Sequence, residues 1–166
     1  MWITGDVNLP EALLEAQREG RLVAFVGAGV SVGPPSSLPL FEALARQIAA
    51  EAEIPWEVRF AQRLDWFLGR CEDDRGIAVH RLAKSRIADP SSRPNQLHES
   101  IIRLFPSASQ LRVVTTNYDT HLTAATAALF GTDPEVYRAP ALPLGRDFNG
   151  IVYLHGSIEQ PQPASS

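Results

Sequence analysis

The sequence predicts an α/β fold, in which a parallel sheet is flanked by helices, and three observations favour this class. Four short segments rich in apolar residues have the length and composition of strands: 22–26, 111–114, 135–137 and 151–154. Between them lie longer segments whose apolar residues recur at helical spacing. Finally, a glycine-rich or polar motif follows three of the four strands, at the sheet edge where open parallel sheets bind their ligands.

The first strand runs directly into a glycine-rich turn. Residues 22–26 (LVAFV) contain no polar residue, which predicts a strand covered on both faces. The glycine turn that follows reads GAGVS, and its Gly27, Ala28, Gly29 and Ser31 are candidates for holding a phosphate with backbone amides and a hydroxyl. The turn matches neither the usual dinucleotide fingerprint nor a lysine-containing phosphate loop. From these residues alone, an ordinary strand-to-helix connection is an equally good interpretation.

Three helical regions precede the second strand. Residues 10–19 predict a short amphipathic helix, and residues 38–52 predict a helix whose apolar face should pack on the sheet. Residues 55–89 predict two helices that form an insert. Its Trp56 and Trp66 are interpreted as core residues, although an insert of this kind could also form a lid over a ligand.

Two further helices flank the second strand. Residues 94–105 predict a helix on which four apolar side chains should point inward: Leu97, Ile101, Ile102 and Leu104. His98 on this helix fits a packing position, and catalysis is the less favoured interpretation. Residues 121–130 predict the other helix, which Asn117 or Asp119 could cap.

Composition limits the kind of protein this is. The 166 residues, 45% of them hydrophobic, suffice for one domain. Cys71 is the only cysteine, which excludes an intrachain disulfide and a cysteine-rich zinc site, so we expect no metal and a reducing, cytoplasmic setting. A net charge of −4 without any run of Lys or Arg argues against direct binding of nucleic acid. No apolar stretch approaches the roughly 18 residues that would predict a membrane span.

Three motifs together resemble the sirtuin family. They are GAGVS at 27–31, followed by a proline-containing loop, TTNYD at 115–119 and YLHG at 153–156. The resemblance extends over about residues 21–157, and it is to the divergent bacterial sirtuin-like proteins that consume NAD in antiphage defence. Those proteins carry TTNYD where protein deacetylases usually have Gln-Asn-Ile-Asp. The resemblance implies a Rossmann-like sheet, with NAD as substrate.

The family resemblance also implies an activity and roles for individual residues. The activity is NAD glycohydrolysis, which splits NAD into nicotinamide and ADP-ribose or a cyclic form of it. Asn117 would orient water or the ribose hydroxyls, and His155 would act as the general base, since an imidazole ordinarily titrates near neutrality. The remaining positions implied around NAD are Gly27, Ala28, Gly29 and Ser31 at the diphosphate, Asp119 at a ribose hydroxyl, and Thr116 and Gly156 in the same pocket.

The sequence also departs from the family. Sirtuin deacetylases carry a zinc ribbon built on paired cysteines, which this sequence lacks, so protein deacylation is a third interpretation. The second is a non-catalytic module that senses NAD or ADP-ribose. We expect a sirtuin-like NAD-binding domain over 1–158, with its helical insert at about 55–89, and a disordered tail over 159–166.

The sheets of sirtuins have more strands than the four predicted here. The sheet could therefore be incomplete in this chain and should expose an edge. A second copy of the chain or a partner protein would cover that edge, unless the chain is a fragment.

Overall fold

The computed structural model describes residues 2–4, 7–143 and 148–158, without the side chains of residues 2–8 and 80. Within them, a four-stranded parallel sheet is flanked by helices, which confirms the predicted α/β, Rossmann-like fold class. The strands are β1 (Trp2–Thr4), β2 (Val7–Asn8), β3 (Ala24–Val26), β4 (Arg112–Thr115), β5 (Val136–Arg138) and β6 (Gly150–Tyr153). The helices are α1 (Glu11–Arg18), α2 (Phe41–Glu51), α3 (Leu64–Arg75), α4 (Val79–Ile87), α5 (Gln96–Ile102) and α6 (His121–Phe130). The tail predicted to be disordered, 159–166, lies outside the described residues.

The parallel sheet brings the three sequence motifs to one edge. Its strand order is β3-β4-β6-β5, and β1 and β2 form a separate antiparallel pair. Val26 pairs with Thr115, and Thr115 pairs with Tyr153, so β3, β4 and β6 end at the same level. All four predicted strands are present in the sheet, with ends shifted by one or two residues. The glycine turn, the loop after β4 and the loop after β6 therefore begin side by side.

One face of the sheet carries the main core. Apolar side chains of α5 and α6 pack against this face, since they belong to the same buried cluster as the strand residues. The buried residues of this core are Val26, Ile102, Phe105, Leu111, Val113, Leu122, Ala125, Ile151 and Tyr153. Each large side chain buried in this way contributes about 1.5–3 kcal/mol relative to leaving it exposed. The Tyr153 hydroxyl lies 2.9 Å from Thr123 Oγ1, so this buried phenol has a hydrogen-bond partner.

The opposite face is covered unevenly. Phe25 on β3 is 68% exposed, so the prediction that this strand is covered on both faces is wrong at Phe25. Further across, on β6, Val152 is buried. Near it, the Phe148 ring meets the Tyr137 ring at 6.4 Å and the Arg112 guanidinium at 5.5 Å. Because β3 is an outer strand of the sheet, the exposed edge that we expected lies beside Phe25.

A second core forms away from the sheet and explains why Phe25 is uncovered. The buried residues of α2 pack with those of α3 and α4: Leu44, Ala45, Ile48, Ala49, Phe67, Leu68, Cys71 and Val79. The prediction that α2 packs on the sheet is therefore wrong. Trp56 joins this core through edge-on contacts with Phe60 and Phe67. Trp66 does not, because it is 42% exposed beneath Arg63 and Arg70.

The ends of two helices differ from the sequence prediction, which places a polar turn at residues 72–76 between the two helices of the insert and ends the next helix at residue 105. Helix α3 continues to Arg75 and ends at Gly76, whose left-handed φ of 63° closes the helix. Helix α5 buries Ile102 completely, whereas Leu97 and Leu104, predicted to point inward, are 50% and 44% exposed. Leu104 lies beyond the end of α5, where the helical spacing used for the prediction no longer applies. In the part of the chain that the structure describes, no helix is long and apolar enough to cross a bilayer.

Gly150 is the position at which we expect a single methyl group to damage the sheet most. Its φ is 124°, and a Cβ there would collide with the backbone carbonyl of Glu135. We expect Gly150→Ala to lower the free energy of unfolding by roughly 3 kcal/mol. Gly131→Ala is the control, because Gly131 is also left-handed (φ 70°) but a Cβ there meets nothing within 4 Å, so the loss should be roughly 1 kcal/mol. Urea unfolding of both variants measures the difference, and equal losses would contradict this account.

Candidate functional site

The glycine turn presents open backbone at the carboxyl end of β3. Gly27, Ala28 and Gly29 are exposed, and residues Ala28–Ser31 form a single 3₁₀ turn. A Cβ on Gly29 would meet nothing within 4 Å, and one on Gly27 would lie 3.8 Å from Thr116 Oγ1. No side chain of the described residues therefore occupies the space above Gly29. The backbone here is open, and its predicted contact with a phosphate stays a prediction.

The Ser31 hydroxyl points inward, away from that open surface. Ser31 is 2% exposed and lies within hydrogen-bonding distance of three side chains. Its Oγ donates to Asp119 Oδ2 at 2.9 Å, accepts from Asn117 Nδ2 at 3.3 Å, and lies 3.2 Å from His98 Nε2. Ser31 thus connects the glycine turn to α5 and to the loop after β4. Its predicted contact with a diphosphate stays a prediction.

Asp119 is fully engaged within the protein. It is 6% exposed, and while Oδ2 accepts from Ser31, Oδ1 accepts from the His121 backbone N–H at 3.1 Å. The second bond satisfies one of the free amides in the first turn of α6, which is the capping role considered from the sequence. The predicted bond from Asp119 to a ribose hydroxyl remains a prediction, and both carboxylate oxygens already have a partner.

Asn117 is buried with one side of its amide unsatisfied. Its backbone N–H donates to Thr115 Oγ1 at 3.0 Å, and that hydroxyl donates to the Val26 carbonyl at 3.0 Å. Its Nδ2 donates to Ser31, but its Oδ1 is buried without a hydrogen-bond partner among the described residues. A buried acceptor left unpaired costs about 1–3 kcal/mol. A ligand hydroxyl or a water that donates to this oxygen would recover that free energy.

His98 belongs to the site, although from the sequence it was interpreted as a packing residue. It is fully buried on α5, and its Nδ1 accepts from the Asn95 backbone N–H at 3.2 Å while its Nε2 faces Ser31. Burial lowers the pKa of His98 to about 4, the nearby Asp119 carboxylate opposes this, and His121 adds to it. The ring is therefore neutral near pH 7. The only sequence signal was the spacing of Asn95 and His98, which is that of a helix capping box.

A second buried histidine lies behind Asp119. His121 is 1% exposed, and its ring meets that of His98 edge-on at 5.4 Å. Its Nε2 lies 2.7 Å from Ser92 Oγ, whose own proton goes to the Ser36 carbonyl at 2.6 Å, so His121 must donate through Nε2. Burial lowers the pKa of His121 as well, although Asp119 opposes this effect. Sequence analysis missed His121 because the first residue of a helix carries no distinctive pattern.

His155 lies on the surface beside the Asn117 loop. The loop after β6 is held there by the Leu154 backbone N–H, which donates to the Thr115 carbonyl at 2.9 Å. His155 is exposed, and its ring centroid lies 6.3 Å from that of Tyr118, which is 45% exposed. Gly156 follows with a left-handed φ of 79°. The structure thus brings His155 and Asn117 to neighbouring strand ends, with Asn117 buried and His155 accessible. Tyr118 is an aromatic neighbour of the site that received no role from the sequence.

An open groove of about 350 Å³ lies on the far side of the glycine turn. It includes Gly29 but neither Asn117 nor His155, so the chemically capable residues are outside it. Its lining residues are Gly29, Val30, Gly33, Pro34, Asn95, Gln96, Leu97 and Ser100. The candidate site is therefore defined by the strand ends, and the groove extends it at the glycine turn.

No metal-binding arrangement is found among the described residues. Within them, no three His, Cys, Asp or Glu side chains lie close enough together to hold a metal ion. Cys71 is buried in the second core, and burial raises the pKa of its thiol despite the nearby Arg75. Its environment is that of a packing residue. A metal-free site remains a prediction.

No family model matches the chain, and no curated protein matches it either. The resemblance to sirtuins therefore depends on the three motifs and stays a hypothesis. What the structure adds is that these motifs, far apart in sequence, meet at one edge of the sheet.

The neutral state of His98 predicts how stability depends on pH. The folded chain holds the pKa near 4, whereas the unfolded chain titrates near 6.5, so only the unfolded chain gains a proton between these values. The free energy of unfolding should therefore fall as the pH drops from 6.5 to 4, by on the order of 3 kcal/mol for this residue. Urea unfolding across this range should show a flatter profile for His98→Gln. Identical profiles for the wild type and the variant would contradict this assignment.

Proposed function

We propose that the chain binds NAD at the carboxyl edge of its sheet and hydrolyses the bond between nicotinamide and ribose. The observation that carries this proposal is Asn117 Oδ1, a buried acceptor without a partner among the described residues, placed at a strand end between the glycine turn and His155. The three motifs that resemble sirtuins supply the identity of the ligand. The arrangement supplies an acceptor for a hydroxyl and an accessible base.

The diphosphate of NAD would lie on the glycine turn. Backbone amides at such a turn bind phosphate oxygens without needing a basic side chain, which suits a chain that has no Lys or Arg run. The exposed backbone from Gly27 to Gly29 offers the necessary close approach. In this arrangement the Ser31 hydroxyl would not contact the diphosphate but would fix the turn, since it is hydrogen-bonded to Asp119 and Asn117.

Hydrolysis needs little acid catalysis, because the leaving nicotinamide is a cationic pyridinium that departs as a neutral molecule. The electron pair of the breaking bond goes to the ring nitrogen, and positive charge develops on the ribose. Asn117 Oδ1 would accept a hydrogen bond from a ribose hydroxyl or from the attacking water and so fix its position. His155 would take the proton that the water loses as it bonds to the ribose carbon.

The exposure of His155 favours a second candidate, a module that binds NAD or ADP-ribose without cleaving it. Catalytic bases usually work in sites from which bulk water is excluded, and His155 lies on the surface.

Protein deacylation ranks third, because the sequence lacks the paired cysteines of the zinc ribbon. On the strength of the resemblance alone, we place the activity in a bacterial cytoplasm, in antiphage defence. We propose that a second copy or a partner protein covers the β3 edge.

Gly29→Val tests the phosphate position. A Cβ at Gly29 meets no protein atom within 4 Å, so the added side chain can extend into the open space above the glycine turn and the variant should fold normally. We expect its affinity for NAD, measured by calorimetry, to fall by about tenfold or more because the amides are shielded. Gly69→Val is the matched control, since Gly69 is also open but lies on α3 in the insert. An unchanged affinity in folded Gly29→Val would place the phosphates elsewhere.

Replacing Asn117 and His155 by alanine tests the chemistry. We expect each variant to release nicotinamide about 10²- to 10⁴-fold more slowly, with little change in NAD affinity. His155→Ala should leave the melting temperature unchanged because the side chain is exposed. Asn117→Ala removes the unpaired oxygen together with one hydrogen bond, so its effect on stability should be small. Chromatography of the products and calorimetry provide the measurements.

Two outcomes of this experiment would count against hydrolysis. Tight NAD binding with no nicotinamide release by the wild-type chain, at any protein concentration, would favour the sensor. Parallel losses of stability, binding and turnover in Asn117→Ala would show that its amide is only structural.

A further inference from the structure

We propose that the groove between the glycine turn and α5 is the adenosine subsite, with Leu97 against a face of the base and Gln96 at its edge. This inference deepens the proposed function and rests on it for the position of the diphosphate on the turn. It gives the two halves of the dinucleotide different places. Adenosine lies in the groove, and nicotinamide riboside lies at the strand ends near His155.

The glycine turn lies between these two places. Gly27 adjoins the loop after β4, since a Cβ on it would lie 3.8 Å from Thr116 Oγ1. Gly29, two residues further on, lines the groove. A diphosphate joins two nucleosides, so one that lies along the exposed backbone from Gly27 to Gly29 leads to a nucleoside at either end. One end reaches the strand ends, and the other reaches the groove.

A single buried side chain fixes the two walls of the groove to each other. Asn95 is 6% exposed, and its Nδ2 donates to the carbonyls of Val30 at 2.7 Å and Gly33 at 3.1 Å. Its Oδ1 accepts from the backbone N–H of Leu97 at 3.0 Å, in the first turn of α5. The glycine turn and α5 are therefore held at a set distance. Binding would cost little reorganisation of the walls, which favours affinity.

The size and lining of the groove suit one nucleoside. Its volume of about 350 Å³ lies near the lower end of the range of small-ligand pockets, which favours half of a dinucleotide over the whole. Leu97 is 50% exposed and lines the groove with Val30 and Pro34, so a base can bury its faces against apolar side chains.

Gln96 supplies a polar group at the same groove. It is exposed, and Ser100 Oγ donates to its backbone carbonyl, which leaves the side-chain amide available to a ligand. One amide offers a donor and an acceptor side by side. Gln and Asn use this pair to recognise the edge of adenine in nucleic acids. Adenine is therefore the base that Gln96 can hold through two hydrogen bonds.

Charge decides which half of the dinucleotide enters the groove. The residues that line it carry no formal charge, and adenosine is neutral at pH 7, whereas the nicotinamide ring of NAD is a cation. At the strand ends Asp119 is a buried carboxylate, while the nearby Arg93 is exposed and screened by water. The cationic half gains more beside this carboxylate than in a neutral groove. The neutral half is therefore the one for the groove.

Two substitutions in the groove test the assignment by calorimetry. Leu97→Gln replaces an apolar wall by a neutral polar side chain, and we expect the affinities for ADP-ribose and adenosine monophosphate to fall about five- to tenfold. Gln96→Ala should weaken the same two ligands about threefold. Nicotinamide mononucleotide, the other half of NAD, should keep its affinity for both variants within about twofold. Melting temperatures should not change, because both side chains are exposed.

Leu104→Gln is the matched control. Leu104 is 44% exposed, so the same change is made on a similar surface, but it lies beyond the end of α5 and outside the groove. All three ligands should bind this variant as they bind the wild-type chain. In nuclear magnetic resonance spectra of the wild-type chain, ADP-ribose should shift the backbone amide signals of Gln96 and Leu97. Nicotinamide mononucleotide should leave both signals in place.

The remaining outcomes separate this inference from the proposed function. Unchanged ADP-ribose affinity in folded Leu97→Gln, or a loss for nicotinamide mononucleotide that equals or exceeds it, would overturn the adenosine subsite while leaving hydrolysis open to its own test. A wild-type chain that binds ADP-ribose through Leu97 and Gln96 but releases no nicotinamide from NAD would defeat hydrolysis alone. A chain that binds neither ADP-ribose nor NAD would defeat both.

Discussion

A single buried oxygen, Ser31 Oγ, holds the candidate site together. It meets side chains that lie 67, 86 and 88 positions away in the sequence, on α5 and on the loop after β4. Buried polar networks of this kind stabilise a structure best when every member is satisfied, and among its members within the described residues only Asn117 Oδ1 lacks a partner. The glycine turn, the start of α5 and the Asn117 loop are therefore fixed relative to one another by the same set of hydrogen bonds. The backbone at Gly29 can stay exposed because the hydrogen bonds of the Ser31 side chain fix the turn from its buried side.

Sequence patterns located the strands and the site loops, but they could not give the direction of side chains. The run LVAFV predicted a strand correctly, yet it could not reveal that α2 packs on α3 and α4 and leaves Phe25 uncovered. The motifs likewise placed Ser31 and Asp119 at the carboxyl edge of the sheet, where they are found. Both side chains turn inward, because each finds its hydrogen-bond partners in the interior.

The two buried histidines show a different limit of sequence analysis. His98 and His121 lie within helical segments, where an isolated histidine has no feature that separates packing from function. Their roles come from neighbours distant in sequence: Ser31 for His98, and Ser92 for His121. The capping-box spacing of Asn95 and His98 was visible in the sequence, but it explains only the contact at Nδ1. The contact at Nε2, which reaches the site, required the three-dimensional structure.

The charge balance beneath the site limits the ligand that it can favour. Asp119 is a buried carboxylate stabilised by the Ser31 hydroxyl, by the His121 backbone N–H and by the positive end of the α6 dipole. Neither adjacent histidine provides a counter-charge at neutral pH, because burial lowers the pKa of both rings. Among the described residues, the side chains buried behind Asn117 therefore include one carboxylate and no cation, while the nearby Arg93 lies on the surface, where water screens its charge. Such a field favours positive charge at the strand ends, which is the charge that both a pyridinium ring and an oxocarbenium-like ribose would bring there.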